Sequence, residues 1–245
     1  MKLLTDADRA FARSLLISED GDVMAFDKPP GLSSQGGRIK VATLDDLLAA
    51  FERSNGKRPR LVHRLDRDTS GVILAARTKP AAAFLGKALM TRRVKKTYLA
   101  IVAPGAPQPR EGRIETPLRR VEVGRESHME LCAAEHPDAE AALTGYRTLA
   151  VGPEAALVEL RPRTGRMHQL RVHMASLGRP IAGDSRYGGA LALGGAAVPR
   201  LMLHARAIAF PHPDGGERRI EAPVPADMTE ALARLGLAAD APVGA

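Results

Sequence analysis

Five ionisable side chains, His63, Arg64, Asp66, Arg67 and Asp68, crowd into one short stretch directly before an apolar run at 72–76. A charged loop that feeds a buried strand is a place where a rigid scaffold can hold a reactive group. Thr69, Ser70 and Gly71 can bend the chain there, with hydroxyls to satisfy the turn's backbone. Three readings are open from the residues alone. Asp66 can act as a nucleophile or proton acceptor. Asp66 and Asp68 can chelate Mg²⁺ beside a nucleotide diphosphate. Or the charges simply compensate one another on a solvated turn. A second polar group, Arg166, His168, Arg171 and His173, lies far downstream. Its histidines are spaced i, i+5 rather than the i, i+4 of a helical zinc pair, so they read as hydrogen-bonding groups.

The elements that would position these groups follow from pattern. Thr5 is placed to cap a short helix, and 15–26 reads as strand, turn, strand with the turn at 19–22. Lys28-Pro29-Pro30-Gly31 stops the second strand, because proline cannot donate to a ladder. Thr43 is set to cap a helix over 44–53, whose Leu44, Leu47, Leu48 and Phe51 share a face. Thr78 and Pro80 start another that runs to about residue 91. Strands are expected at 72–76, 98–102, 142–150, 155–161 and 202–210, and a helix at 168–177 ended by Gly178. Residues 105–140, rich in Pro, Arg and Glu, are expected to form a hairpin and loops, and the end after Pro225 one short helix and an alanine-rich tail. Strands dominate without βαβ alternation, so the expected class is α+β, with a mixed, mainly antiparallel central sheet flanked by helices and loops. One catalytic domain over 1–228, two packed sub-halves around a cleft, would be followed by a short helix and tail at 229–245.

Composition narrows the function classes. The 245 residues are 44% hydrophobic and 26% charged, which suits a folded core rather than disorder. Lys and Arg number 36 against 28 acids, a formal charge of +8, and such a surplus suits a polyanionic partner. A lone cysteine, Cys132, excludes an internal disulfide and a thiolate metal cluster, as in a reducing cytoplasm. The N-terminus interrupts its apolar residues with Asp6, Asp8, Arg9 and Arg13, so it lacks a signal-peptide core, and no apolar run is long enough to span a bilayer. Aromatic residues make up only 3%, with no Trp, which argues against a single-strand stacking platform.

The stretch His63-Arg64-Leu65-Asp66-Arg67-Asp68-Thr69-Ser70-Gly71 resembles the signature H-R-L-D-x-x-T-S-G of the RluA family of RNA pseudouridine synthases. Other segments resemble that family in order. Asp27-Lys28-Pro29-Pro30-Gly31-Leu32 is similar to N-K-P-x-G-L, with Asp27 for the usual Asn. Lys96-Thr97-Tyr98 is similar to K-x-Y, and the run from Thr164 to His173 to T-G-R-x-H-Q-[IL]-R-V-H. Pro180-Ile181, Gly183-Asp184, Tyr187-Gly188 and Leu203-His204-Ala205 complete the set. The middle segment departs, reading Asp138-Ala139-Glu140-Ala141-Ala142-Leu143-Thr144 where relatives carry G-K-x-A-x-T.

The resemblance implies a pseudouridine synthase fold and an isomerase that needs neither cofactor nor metal. It implies Asp66 as the catalytic carboxylate, with attack at C1′, attack at C6 and assistance to proton removal all left open. Arg171 would be the fixed cation that keeps Asp66 ionised, and Tyr98 the aromatic that stacks on the uracil and handles protons. Arg64 would enter the duplex when the target nucleotide is extruded, since a stacked base cannot be turned over in place. Arg67, Thr69, Arg166 and His168 would line the substrate site, with Arg92, Arg93, Lys95, Lys96, Arg119 and Arg120 on RNA phosphates. The partner would be structured RNA, a ribosomal or transfer RNA stem-loop, bound by a cytoplasmic monomer with no obligate protein partner. Two competing classes are a non-catalytic RNA-binding protein on the same fold and a metal-dependent transferase built on Asp66 and Asp68. The first would be free to lose Asp66, Tyr98 and Arg171, and the second would die in EDTA.

Overall fold

The structure, a computed structural model, describes residues 4–36, 42–124 and 126–237. It divides into two compact units, 1–95 with 205–223 and 96–204 with 224–245. The chain begins with α1 (Asp6–Ser14), β1 (Leu16–Glu19), β2 (Val23–Lys28), α2 (Leu44–Leu47), β3 (Arg60–Leu61), β4 (Ser70–Ala76) and α3 (Lys79–Met90). There follow β5 (Lys95–Val102), β6 (Glu111–Ile114), β7 (Leu118–Val123), β8 (Glu126–Leu131), β9 (Thr144–Val151) and β10 (Ala156–Pro162). The last third carries α4 (Gln169–Ser176), β11 (Ala192–Leu193), β12 (Ala196–Ala197), β13 (Leu203–Pro211), β14 (Glu217–Glu221) and α5 (Ala226–Arg234). The class is α+β with mostly antiparallel pairing, as expected.

In the first unit, β2 joins β1 to β4, and β13 follows β4. All seven residues of β4 are buried, and its pairing with β2 is antiparallel, with Lys28 opposite Gly71 and Phe26 opposite Ile73. Burying such aliphatic side chains stabilises by roughly 1.5–3 kcal/mol each, so this strand is a firm base for the loop that precedes it. The threonines named from sequence are caps. Thr5 accepts from Asp8 N at 3.1 Å while Asp8 returns a bond to Thr5 N at 2.9 Å, and Thr43 and Asp46 form the same reciprocal box. The helix expected over 44–53 keeps one α turn and then tightens to a 3-10 turn over 48–51, with Glu52 N donating to Ala49 O at 3.2 Å. Its apolar face packs Leu47 and Ala50 against Ala12 of α1, with Leu4, Leu32 and Phe51 at the margin.

In the second unit, β10 pairs antiparallel with β5 and β9, and β6 closes that edge against β9. β6 and the β7–β8 hairpin resolve the segment 105–140, whose strands alternate charge with few apolar residues. Leu118 and Met129 of the hairpin bury against Ala142 and Val172 of α4. α5 covers Ala226–Arg234, so it starts ahead of the boundary expected after 228, and the alanine-rich tail lies outside the described residues. No helix among the described residues is long and apolar enough to cross a membrane.

Candidate active site

Asp66 is half-buried on the loop between β3 and β4, and both of its neighbours are clamped through their backbones. Ser34 Oγ donates to Leu65 O at 2.7 Å and accepts from Leu65 N at 3.0 Å. Lys28, fully buried, extends its ammonium group to Pro29 O, Leu32 O and Arg67 O at 2.9, 2.7 and 2.9 Å. Thr69 N then donates to Asp66 O at 3.2 Å and closes the turn. Gly71 finishes it with φ +111°, and an added Cβ would collide with the backbone of Ala205, so only glycine fits. Farther back, His63 Nε2 accepts from Leu74 N at 3.1 Å, which anchors the loop to β4. The Lys28 ammonium therefore sits under the turn that carries Asp66. Burial raises the neighbouring Asp27 carboxyl, with the Lys28 charge pulling it the other way.

Arg64 and Arg67 are exposed on this loop, and Arg67 Nε pairs with Asp68 at 2.9 Å. Asp68 is thus a turn carboxylate answering an arginine. Thr69, expected to line the substrate site, is buried at the end of the turn.

In the second unit, Tyr98 is 8% exposed and stands opposite Leu160, which in turn stands opposite Tyr146. Directly opposed residues share a sheet face, so Tyr98 and Thr144, two residues along from Tyr146, lie on one side. α4 is fastened to that side: Gln169 Nε2 donates to Thr144 Oγ1 at 3.0 Å, and Thr144 Oγ1 donates to His173 Nδ1 at 2.8 Å. His173 Nε2 donates to Thr116 O at 3.0 Å, and burial pushes this imidazole below its usual range.

Arg171, on α4, meets Asp184 through two parallel bonds, Nε to Oδ2 and Nη2 to Oδ1, both 2.7 Å. The arginine side chain is 11% exposed and the aspartate 0%, so the pair is desolvated and geometrically fixed. Asp184 Oδ1 also accepts from Arg186 N at 3.1 Å and Tyr187 N at 3.2 Å. The guanidinium lies 5.0 Å from the centre of the Tyr187 ring. The Tyr187 hydroxyl accepts from Met129 N at 3.0 Å, which directs its own proton to His168 Nδ1 at 2.8 Å. Burial, then the positive Arg171, pulls His168 down to about 3, so the ring is neutral and can take that bond. His168 holds φ +51° at the start of α4.

Arg166, expected to line the substrate site, places Nη1 on Glu140 at 2.9 Å and Nε on Ala141 O at 3.1 Å. Lys95 faces Glu217 at 3.7 Å and Arg119 Nε bonds Glu130 at 2.6 Å, whereas Arg92 and Arg93 are exposed. Lys96, two residues before Tyr98 and on its face, is drawn down by burial to about 8.

Sequence reasoning therefore named Asp66, Tyr98 and Arg171 as candidates and missed the groups that hold the Asp66 loop, Lys28 and Ser34, and those that hold Arg171, Asp184 and Tyr187. The signal was present, because Lys28, Asp184 and Tyr187 each lie inside a matched segment. What those segments do not carry is which pairs meet.

A family model described as RNA pseudouridylate synthase matches residues 22–176. The chain belongs to this family. An uncharacterized RNA pseudouridine synthase of Bacillus subtilis, YhcT, is 37% identical over 219 residues, covering 87% of this chain and 69% of the relative. The ribosomal large subunit pseudouridine synthase D of Xanthomonas campestris is 37% identical over 239 residues, 90% of this chain and 69% of that protein. Among solved structures, human RNA pseudouridylate synthase domain containing 4 superposes with a TM-score of 0.81 at 27% identity, covering 95% of this chain and 98% of the other. Enzymes of this family are isomerases, and this chain is one by membership.

Proposed function

We propose that this enzyme converts particular uridines of structured RNA, in ribosomal or transfer RNA stem-loops, to pseudouridine with Asp66 as the reacting carboxylate. The reaction breaks N1–C1′, forms C5–C1′, removes the C5 proton and leaves a proton on N1. No electrons enter or leave, so side chains alone suffice and neither cofactor nor metal is required. Tyr98 is suited to stack on the uracil and relay the C5 proton, and Arg171 to present a fixed positive charge. Arg64, exposed on the same loop as Asp66, suits the group that follows an extruded nucleotide, with Arg67 on the adjoining phosphate. His168, neutral at pH 7, can donate from Nε2 to an RNA acceptor. The Xanthomonas relative's name supports ribosomal RNA as one substrate class. A cytoplasmic monomer that needs no protein partner completes the reading.

The observation that carries it is the pair of backbone clamps on either side of Asp66, from Ser34 and Lys28. A solvated surface turn has no use for a buried ammonium group spent on three carbonyls. Pseudouridine mapping across total RNA of a deletion strain, complemented with wild type or Asp66→Ala, tests it. Specific sites disappear on deletion and return only with the wild type. Sites restored by the alanine variant would refute the role of Asp66.

A further inference from the structure

The second unit holds a cavity of about 340 Å³ on the face of its sheet opposite to Tyr98. Register shows how it is built. On the strand row β6–β9–β10, Glu111, Arg147 and Glu159 stand side by side, and on the next row Arg113, Gly145 and Arg161 do. Directly opposed residues share a face, so these six side-chain positions project to one side of the sheet. Gly145 has no side chain, and its place in the row is a gap between two arginines. Arg163 adds a fourth guanidinium to the lining.

The charges do not cancel. Glu159 is 0% exposed and lies 2.7 Å from Arg161 Nη2 and 3.5 Å from Arg147 Nη2, so one buried carboxylate is shared by two guanidinium groups as ion-pair partner. Among the described residues, neither Arg113 nor Arg163 has an ion pair with a carboxylate. Four arginines thus line the cavity with two carboxylates, one of them already shared. If the cluster served stability alone, one arginine would balance Glu159, and a side chain at 145 would fill the floor. A gap floored by backbone and flanked by forked donors instead matches a tetrahedral oxyanion, which guanidinium groups bind two oxygens at a time.

We propose that this cavity is a phosphate site that takes a backbone phosphodiester of the RNA substrate, at a nucleotide other than the one isomerised. The proposal rests on the RNA reading above for its ligand, and on the arginine rows for its location. Because the site lies across the sheet from Tyr98, it recognises a part of the RNA that passes the β6 edge, and it contributes affinity and register rather than chemistry.

Gly145→Asp tests it directly. An added Cβ meets only Arg161 O at 3.7 Å and Arg161 Cβ at 4.0 Å, so the substitution fits and sets a carboxylate between Arg113 and Arg161. Binding is measured by filter retention of in vitro transcribed large-subunit ribosomal RNA over a series of salt concentrations, beside Arg113→Gln and the wild type. Gly145→Asp is expected to melt at or above the wild-type temperature while binding RNA about tenfold more weakly. Its slope of log affinity against log salt falls by about one, the value of one lost phosphate contact. Arg113→Gln moves affinity and slope the same way. Wild-type affinity and slope in both variants would overturn the proposal, as would inorganic phosphate raising the melting temperature of the wild type but not of Gly145→Asp while RNA affinity stays equal in both. Pseudouridine made by Asp66→Ala would strike the catalytic reading alone, leaving the cavity to be judged by the salt slopes.

Discussion

The two units hold Asp66 and Arg171 by opposite means. Around Asp66 the neighbours are held by main-chain bonds, Ser34 on Leu65 and Lys28 on Arg67, so the backbone of the loop is what is fixed. Around Arg171 the side chain itself is fixed, by two bonds to Asp184 and by the ring of Tyr187 below it. A carboxylate that must reach a substrate atom gains from a rigid base and an adjustable tip. A cation whose task is to present charge gains from having no freedom at all.

That contrast makes unequal demands on mutation, beginning with the largest effect. Lys28→Met strips three carbonyls of a buried donor and should cost about 3 kcal/mol in urea unfolding, together with most activity. An active variant of wild-type stability would show that the Asp66 loop does not depend on its clamp. Asp184→Asn, acting through Arg171, is expected to cost about 2 kcal/mol, with turnover reduced and RNA affinity close to wild type. A rise in KM with turnover untouched would instead make the pair a binding device. The third effect is absent at neutral pH and appears only on acidification. His168 stands at about 3 in the fold against an ordinary 6.5, so between those values the unfolded chain takes up a proton that the native chain refuses. Stability therefore declines as pH falls from about 6.5 toward about 3, and in His168→Gln that part of the decline is absent. Equal slopes for the two proteins in thermal scans across this window would contradict the neutral, Tyr187-bonded imidazole.

Much of this molecule was legible in its residues. The capping threonines, the apolar run that becomes β4 and the helix after Thr78 follow local rules, and the structure keeps them to within a residue or two. β6 and β14 escaped because their exposed, charged strands carry no hydrophobic alternation, and only pairing with β9 and β13 makes them strands. The same holds for the site. Asp66, Tyr98 and Arg171 could be named as candidates because each sits in a matched segment. The bond from Ser34 to Leu65 spans 31 residues and the one from Lys28 to Arg67 spans 39, and no periodicity encodes either. The arginine rows beside Gly145 were invisible for a related reason, since they exist only once three strands are laid in register.

The seat that Ala205 makes for Gly71 has a consequence for synthesis. The unit that carries Asp66 is completed by residues 205–223, and β13 covers the flank of β4. A ribosome delivering the chain from its amino end therefore releases the Asp66 loop long before the strand that closes against it. Until that late strand arrives, an apolar edge is open, and the nascent protein is most exposed to misassociation just when its Asp66 loop is already outside the exit tunnel.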